Sequence, residues 1–215
     1  MRIYLDMCSI QRPLDDQTQL RIHVEAEAVL GIIAFCEAGG AELISSEALE
    51  YETARNPHPV RKAHAQGVLG KATRIARLSP AVEARARLLN QAGIKPLDAL
   101  HLAFAVEAGA GYFCTCDDRF LRRARTAHSG APKVVSPLEL LTEEPMTVQT
   151  KPLAEVTRRA IEILSRELGA ADTLRFMGQF TSGYGDYTEE RDALFGQTTL
   201  DDLLSEIKAA PQKHA

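Results

Sequence analysis

The stretch MRIYLDMCS, residues 1–9, decides the fold that the rest of the sequence follows. Its apolar run at residues 3–5 is typical of a strand that is buried on both faces of a sheet. The run ends at Asp6, and ligands of open α/β sheets bind beyond the carboxyl ends of the strands. A single acid at such a place is most often a turn residue. The question is therefore whether other carboxylates converge on Asp6.

The composition is that of a globular protein. Of the 215 residues, 45 % are hydrophobic and 25 % are charged, and the formal net charge is −4, so no overall positive field attracts nucleic acid. No apolar run approaches the roughly 18 residues that span a bilayer, and the first residues lack a charged-then-apolar leader. We therefore expect a cytoplasmic protein without a membrane partner. The four cysteines match no zinc-site spacing and indicate reduced thiols.

Strand and helix patterns alternate over residues 1–142, which predicts an α/β fold with a central parallel sheet. The expected strands are near 3–5, 41–44, 112–115 and 134–135. The expected helices are 20–37, a helix capped by Ser45 or Ser46, 80–91, 97–108 and one after residue 118. Residues 11–19 are expected to be a loop, and 137–141 a closing turn. Residues 143–152 are polar and contain proline, so we interpret them as a linker.

Residues 153–210 are expected to form a small all-helical region. Apolar spacing predicts one helix over 156–168 and a second over 174–180. A Gly-rich loop is expected at 181–187. Thr199 and Asp202 are then typical of a capping box that opens a last helix.

Acids follow strand ends or open helices at four places in the α/β region: Asp6, Glu50 or Glu52, Asp98, and Asp117 or Asp118. In a parallel sheet these places share one edge, so the acids should meet there. Crowded carboxylates repel one another and their pKa values rise, and a hard divalent cation relieves that repulsion. Oxygen ligands suit Mg²⁺ or Mn²⁺, which can activate water and stabilise the charge of a phosphoryl displacement.

Four motifs in this order resemble the PIN-domain ribonucleases, especially the VapC-type toxins of toxin–antitoxin systems. The motifs are YLD at 4–6 with Ser9, ISS at 44–46 followed by Glu52, PLDALHLA at 96–103, and TCDDRF at 115–120. The resemblance covers residues 1–142 and implies a three-layer α/β/α PIN-like fold. It further implies an endoribonuclease that hydrolyses RNA phosphodiester bonds with Mg²⁺ or Mn²⁺.

Carried over residue by residue, the resemblance implies four catalytic metal ligands: Asp6, Glu52, Asp98 and Asp117. It implies that Ser9 and Thr115 orient ligands or water. Glu50 competes with Glu52, and Asp118 competes with Asp117. Glu50 and Glu52 lie about 200° apart on a helix, so only one of them should face the metal.

The residues next to these acids give weaker evidence about the site. Family members often carry Thr or Asn near position 7 or 8, where this chain has Met7 and Cys8, so the polar support of Asp6 is left to Ser9. Cys8 and Cys116 are expected to pack inertly. His101 lies one turn from Asp98 and could support the site, although a satisfied core histidine is the favoured interpretation.

Basic residues supply the candidate RNA contacts. Residues 53–81 contain no acid, and an arginine-rich helix follows residue 118. Such stretches are usually solvated helical faces, but beside a metal site they could bind RNA phosphates. The candidates are Arg55, Arg61, Lys62, Arg119 and Arg122. Few aromatic residues accompany them, so base stacking is not supported.

The C-terminal region resembles the small helical proteins that accompany PIN toxins, and Met146 would make a natural chain start. It is therefore expected to be an antitoxin-like partner in cis, with a stabilising or oligomerising appendage as the alternative. The partners we expect are an RNA substrate and this region or a separate antitoxin; a homodimer is also allowed. Two other functions compete with the nuclease. One is a catalytically weak or silent PIN-fold RNA-binding or regulatory protein. The other is a phosphatase with a nucleophilic Asp, against which cysteine at position 8 counts.

Overall fold

The strand at the start of the chain is the centre of the sheet. A computed structural model describes residues 1–144, 146 and 152–179. In it β1 (Arg2–Leu5) lies between β2 (Glu42–Ser46) and β4 (Tyr112–Cys114). β3 (Arg74–Ala76) pairs with β2, β5 (Lys133–Val135) pairs with β4, and every pairing is parallel. The strand order β3-β2-β1-β4-β5 confirms the predicted α/β fold with an all-parallel central sheet.

Ten α-helices and one 3₁₀-helix accompany the sheet in the described part of the chain. The α-helices are α1 (Met7–Gln11), α2 (Leu20–Glu37), α3 (Glu47–Arg55), α4 (Pro59–Leu69), α5 (Pro80–Gln91), α6 (Pro96–Glu107), α7 (Asp118–Ala127), α8 (Pro137–Glu143), α9 (Leu153–Leu168) and α10 (Ala170–Met177). The 3₁₀-helix is Arg12–Leu14. The helices and the five-stranded parallel sheet form the predicted three-layer α/β/α arrangement.

Local chemistry explains where several helices begin and end. The Ser46 side chain accepts a hydrogen bond from the Leu49 amide and so caps α3. Pro80 and Pro96 occupy the first position of α5 and α6, where a missing N–H group costs nothing. After α2, Gly39 has a φ of 81°, the left-handed conformation in which glycine commonly ends a helix.

The core surrounds β1. Ile3, Tyr4 and Leu5 are fully buried, and because successive side chains of a strand point to opposite faces, both faces of the sheet are covered. Phe113 of β4 stacks on Tyr4 with 5.1 Å between the ring centroids. α6 packs against α5 and α3, and most of its side chains from Ala99 onward are buried. This burial fixes the first turn of α6 at the edge of the sheet.

Three segments differ from the sequence-based expectations. Directly after β1 the chain forms α1 and the 3₁₀-helix. The loop that was expected at 11–19 is therefore shorter and begins after Leu14. Within the acid-free window the chain forms α4 and the edge strand β3. The expected closing turn at 137–141 is α8, because Ser136 and Glu139 make a reciprocal capping box. The linker that was predicted from residue 143 therefore begins at the last residue of a helix.

The described residues fall into two compact units, one up to residue 146 and one over 152–179. In the second unit α9 and α10 pack against each other, and Gly169 with a φ of 80° separates them. The predicted Gly-rich loop at 181–187 and the helix after Thr199 lie outside the described residues. Within the described part of the chain, no helix combines the length and the apolar character that crossing a membrane requires.

Candidate active site

Asp6 is held at the carboxyl end of β1 by groups from two neighbouring segments. Its Oδ1 accepts a hydrogen bond from the Met7 amide at 2.8 Å. Its Oδ2 accepts one from the Thr115 hydroxyl at 2.9 Å and one from the Cys8 thiol at 3.0 Å. Only 8 % of Asp6 is exposed. These donors fix the orientation of the carboxylate.

Asp98 and Asp117 reach the same edge of the sheet. Asp98 stands in the first turn of α6, and Asp117 caps the start of α7. Burial, followed by the negative charges of Asp6 and Asp117, raises the pKa of Asp98 above its ordinary value. Asp98 has no hydrogen-bond or ion-pair partner among residues 1–144, 146 and 152–179. Three of the four predicted acids therefore share one electrostatic environment, in which the charge of Lys95 offsets part of the effect of Asp6 and Asp117 on Asp98.

Thr115 orients two of these acids. Its hydroxyl donates to Asp6 Oδ2 and accepts a hydrogen bond from the Asp117 amide at 3.1 Å. Ser9, which was expected to support Asp6, instead donates to the Cys114 carbonyl at 3.2 Å and lies 3.5 Å from the Cys116 sulfur. This expectation is corrected because α1 begins directly after Asp6 and aims the Ser9 side chain at β4.

Cys8 takes the place that Ser9 was expected to fill. Its sulfur lies 3.0 Å from Asp6 Oδ2 and 3.2 Å from the Thr115 hydroxyl. A hydrogen bond with Cys116, together with burial, raises the pKa of the Cys8 thiol well above its ordinary value. The thiol therefore keeps its proton and serves as a donor to Asp6. The expectation that Cys8 packs inertly is corrected by this contact.

Asp117 and Asp118, the two neighbouring candidates for a metal ligand, differ in their hydrogen-bond partners. Asp118 forms a bidentate ion pair with Arg21, with N–O distances of 2.7 and 2.8 Å. Asp117 uses only Oδ1 for the amides of Arg119 and Phe120, and its Oδ2 has no hydrogen-bond partner in the described part of the chain. Asp117 thus keeps one carboxylate oxygen for the site, whereas both oxygens of Asp118 are occupied.

Glu50 and Glu52 also differ in their surroundings. Glu50 is exposed on α3 and lies 3.7 Å from Arg77. Glu52 faces α6, where its Oε2 lies 3.1 Å from His101 Nε2. His101 is almost fully buried, and its Nδ1 lies 2.7 Å from the Tyr4 hydroxyl. His101 is therefore a core histidine, as favoured, but one that also contacts a predicted site residue.

The donor set fits a hard divalent cation. No three His, Cys, Asp or Glu side chains among residues 1–144, 146 and 152–179 are grouped closely enough to hold a metal ion as they stand. The acids nevertheless offer carboxylate oxygens, and a cation would offset the burial and the negative charges of Asp6 and Asp117 that raise the pKa of Asp98. Asp6, Asp98 and Asp117 are the residues that would hold it, with Glu52 attached to them through His101.

The candidate RNA-binding residues lie in different surroundings. Three of them are occupied: Arg55 lies over the Tyr51 ring at 3.6 Å, Arg61 pairs with Asp15 at 2.9 Å, and Lys62 donates to the Ala54 carbonyl at 3.0 Å. Arg119 lines an open cleft of about 560 Å³ together with Asp117 and Lys95. Lys95, Arg119 and Arg122 form no side-chain hydrogen bond or ion pair of 4 Å or less among the residues that the structure describes, although the charge of Lys95 acts on Asp98 and that of Arg122 acts on Asp118. The cleft is therefore a place where cations adjoin the acids.

Acidic side chains gathered at the carboxyl edge of an all-parallel sheet, beside the strand where its order reverses, define an α/β protein with an acidic centre at the switch point. A family model for the PIN domain matches residues 18–126, about half of the chain. The chain belongs to the PIN-domain family. PIN domains are generally nucleases and typically use divalent metals. No curated protein and no solved structure matched the chain significantly.

The family match contains Glu52, Asp98 and Asp117, whereas Asp6 precedes it. The fold places Asp6 beside the other acids, because β1 pairs with β4 and the Asp6 amide donates to the Cys114 carbonyl. The resemblance to PIN domains is confirmed. The closer resemblance to VapC-type toxins stays a prediction.

Proposed function

We propose that the chain is an Mg²⁺- or Mn²⁺-dependent endoribonuclease that hydrolyses phosphodiester bonds of RNA. One observation carries the proposal: Asp6, Asp98 and Asp117 stand at one edge of the sheet, where burial, followed by the charges of Asp6 and Asp117, raises the pKa of Asp98. Perturbed groups with specific charged neighbours are typical of functional sites.

The side chains divide the work of such a centre. Asp6, held by Thr115 and Cys8, is the fixed ligand, and Asp98 and Asp117 supply the free carboxylate oxygens. When bound, the metal lowers the pKa of a water molecule and stabilises the charge of the phosphoryl displacement. Glu52 contacts His101 on α6, the helix that carries Asp98, and is the fourth proposed metal ligand. No side chain is required as a covalent nucleophile.

RNA cleavage by the full chain tests the proposal. We expect metal-dependent cutting of single-stranded RNA with Mn²⁺ and none with a chelator. Asp98→Asn should abolish cutting, whereas Glu50→Gln, which removes an exposed acid near Arg77, should leave it intact. A folded Asp98→Asn variant that cuts like the wild type would refute the acidic centre and favour a PIN-fold RNA-binding or regulatory protein.

The RNA backbone would enter through the cleft beside Asp117. Lys95 and Arg119 line it without a side-chain hydrogen bond or ion pair in the described part of the chain, so their charges are available to phosphates. For single strands, log K falls with log salt by about 0.7 for each phosphate that a protein neutralises. The double change Lys95→Gln/Arg119→Gln should therefore flatten the slope by about 1.4, measured by RNA binding in the presence of chelator. Arg85→Gln/Arg87→Gln on α5, outside the cleft, is the matched control.

The biological role that we propose is that of the toxin of a toxin–antitoxin system, in which the C-terminal region, or a separate antitoxin, restrains the nuclease. The change of composition after residue 142 and the compactness of the first unit support this proposal. Cleavage by residues 1–149 should exceed cleavage by the full chain. Equal cleavage would retain the nuclease and remove the inhibition in cis. Sedimentation of both forms would test the homodimer.

A further inference from the structure

A continuous chain of hydrogen bonds runs through the core to Glu52. Ser46 Oγ lies 2.6 Å from the Tyr4 hydroxyl, which lies 2.7 Å from His101 Nδ1. On the other side of the ring, His101 Nε2 lies 3.1 Å from Glu52 Oε2. Ser46, Tyr4 and His101 are each 1 % exposed or less. Because water cannot replace these partners, every proton in the chain must find its acceptor inside the protein.

The proton count selects one direction for the chain with a neutral imidazole. If Ser46 donates to Tyr4 and Tyr4 donates to His101 Nδ1, then Nε2 carries the ring proton and donates to the Glu52 carboxylate. Every hydrogen then has an acceptor, and Ser46 Oγ remains an acceptor for the Leu49 amide at 3.3 Å. In the reverse direction the bare Nε2 would face a carboxylate oxygen with no proton between them. The geometry therefore favours the tautomer that is protonated at Nε2.

We propose that His101 is a positioning residue for Glu52. It holds Oε2 through Nε2–H, and Glu52 Oε1 has no hydrogen-bond partner among residues 1–144, 146 and 152–179. Glu52 extends from α3, whereas His101 and Asp98 stand one turn apart on α6. The imidazole thus ties a carboxylate of one helix to the helix that carries Asp98 and leaves the second oxygen of Glu52 without a hydrogen bond among the described residues.

The anchor of this arrangement is the buried end of the chain. Ser46 caps α3 and at the same time contacts Tyr4, so the start of the helix that carries Glu52 and the orientation of His101 depend on the same hydroxyl pair. Partners that orient a metal ligand commonly contribute a factor of about 10 to 100 in metal affinity or activity. This inference rests on the proposed metal centre for its functional consequence but not for its geometry.

Nuclear magnetic resonance of the metal-free full chain tests the geometry directly. Nitrogen-15 shifts and carbon–proton correlations of His101 should report a bare Nδ1 and a protonated Nε2. A proton on Nδ1 with a bare Nε2 would overturn the proposal, because Nε2 would then have no hydrogen to donate to Glu52. This measurement involves neither metal nor RNA, so its outcome is separate from that of the nuclease proposal.

Mn²⁺ titration calorimetry of the full chain tests the consequence. His101→Leu should weaken Mn²⁺ binding by about 10- to 100-fold. His101→Gln keeps an N–H donor for Glu52 and should bind Mn²⁺ more like the wild type than like the leucine variant. His64→Leu is the control, because its Nε2 contacts only the Ile10 carbonyl at 2.9 Å. Circular dichroism verifies that each variant is folded.

The outcomes separate the two proposals. Wild-type Mn²⁺ affinity in a folded His101→Leu variant would refute the positioning role. A wild-type chain that binds Mn²⁺ and shows the expected tautomer but cuts no RNA would refute the nuclease and leave the positioning role standing. If the wild type binds no Mn²⁺, the proposed metal centre is refuted. The tautomer of His101 then decides whether its imidazole positions Glu52.

Discussion

Replacing Tyr4 by phenylalanine removes a single oxygen atom from the middle of the core. The ring keeps its stacking on Phe113, so little apolar contact is lost. The hydroxyl contacts of Ser46 and His101 disappear, at 2.6 and 2.7 Å. Burial raises the pKa of Tyr4 well above its ordinary value, so the group that is removed is a neutral hydroxyl at any ordinary assay pH.

The expected loss follows from the partners that remain. A buried polar group that loses its partner costs about 1–3 kcal/mol. Ser46 and His101 each lose a hydrogen-bond partner in this variant, but Ser46 keeps its bond with the Leu49 amide. We therefore expect Tyr4→Phe to lower the free energy of unfolding by about 2–4 kcal/mol. At about 2–4 °C per kcal/mol, the melting temperature should fall by about 4–16 °C.

Tyr112→Phe is the matched control for this change. The Tyr112 hydroxyl donates to Glu144 at 2.9 Å, but both side chains are only partly buried, so water can replace the bond. Its loss should stay within about 0.5 kcal/mol. Urea unfolding of the full chain, fitted with separate transitions for its two units, gives both values. Equal stability losses in the two variants would refute the reasoning, because burial is the main difference between the two hydroxyls.

Three further predictions concern the acidic centre. Burial and the charges of Asp6 and Asp117 raise the pKa of Asp98, so the folded state binds the proton more tightly than the unfolded chain and stability falls as pH rises through that raised pKa. Asp98→Asn should therefore melt above the wild type at pH 7 without metal, and Mn²⁺ should stabilise it less; melting curves with and without Mn²⁺ check both. Asp117→Asn should lower RNA cleavage by at least about 10-fold although asparagine still caps α7, whereas Asp118→Asn should cut like the wild type. Cys8→Ala should weaken Mn²⁺ binding by about 10-fold, and Cys8→Ser, which keeps a donor for Asp6, should not; calorimetry of both decides.

The sequence predicted the elements whose signals are local. α2 has apolar residues at helical spacing and ends at the Gly39–Gly40 pair, and α6 begins at a proline, so both were found with nearly correct bounds. β3 was missed because Arg74–Ala76 is short, half polar and stabilised only by pairing with β2. The capping signal of α8 was present at Ser136 and Glu139 but went unused, since seven residues give little apolar periodicity.

The four acids were predicted from the sequence, but the contacts that distinguish neighbouring acids could not be. Asp118 is paired with Arg21, which precedes it by 97 residues, and Glu52 contacts a histidine 49 residues further on. Such pairings arise only when the fold brings distant helices together. Cys8 could have been recognised, because it stands where the family often has a polar residue. Cys8 was expected to pack inertly because a thiolate is a poor ligand for a hard metal ion. Its thiol, however, can donate a hydrogen bond to a carboxylate.

The position of β1 at the centre of the sheet has a consequence for synthesis on the ribosome. β1 is made first and gains β2 early, but its other edge stays open until β4 emerges at Tyr112. The unpaired edge of an apolar strand is a template for pairing with other chains. A polypeptide released before that point would lack Asp117 beside Asp6 and would expose this edge. Incomplete products should therefore be both inert and prone to aggregate, and the acidic centre comes into existence only when the nascent domain is nearly finished.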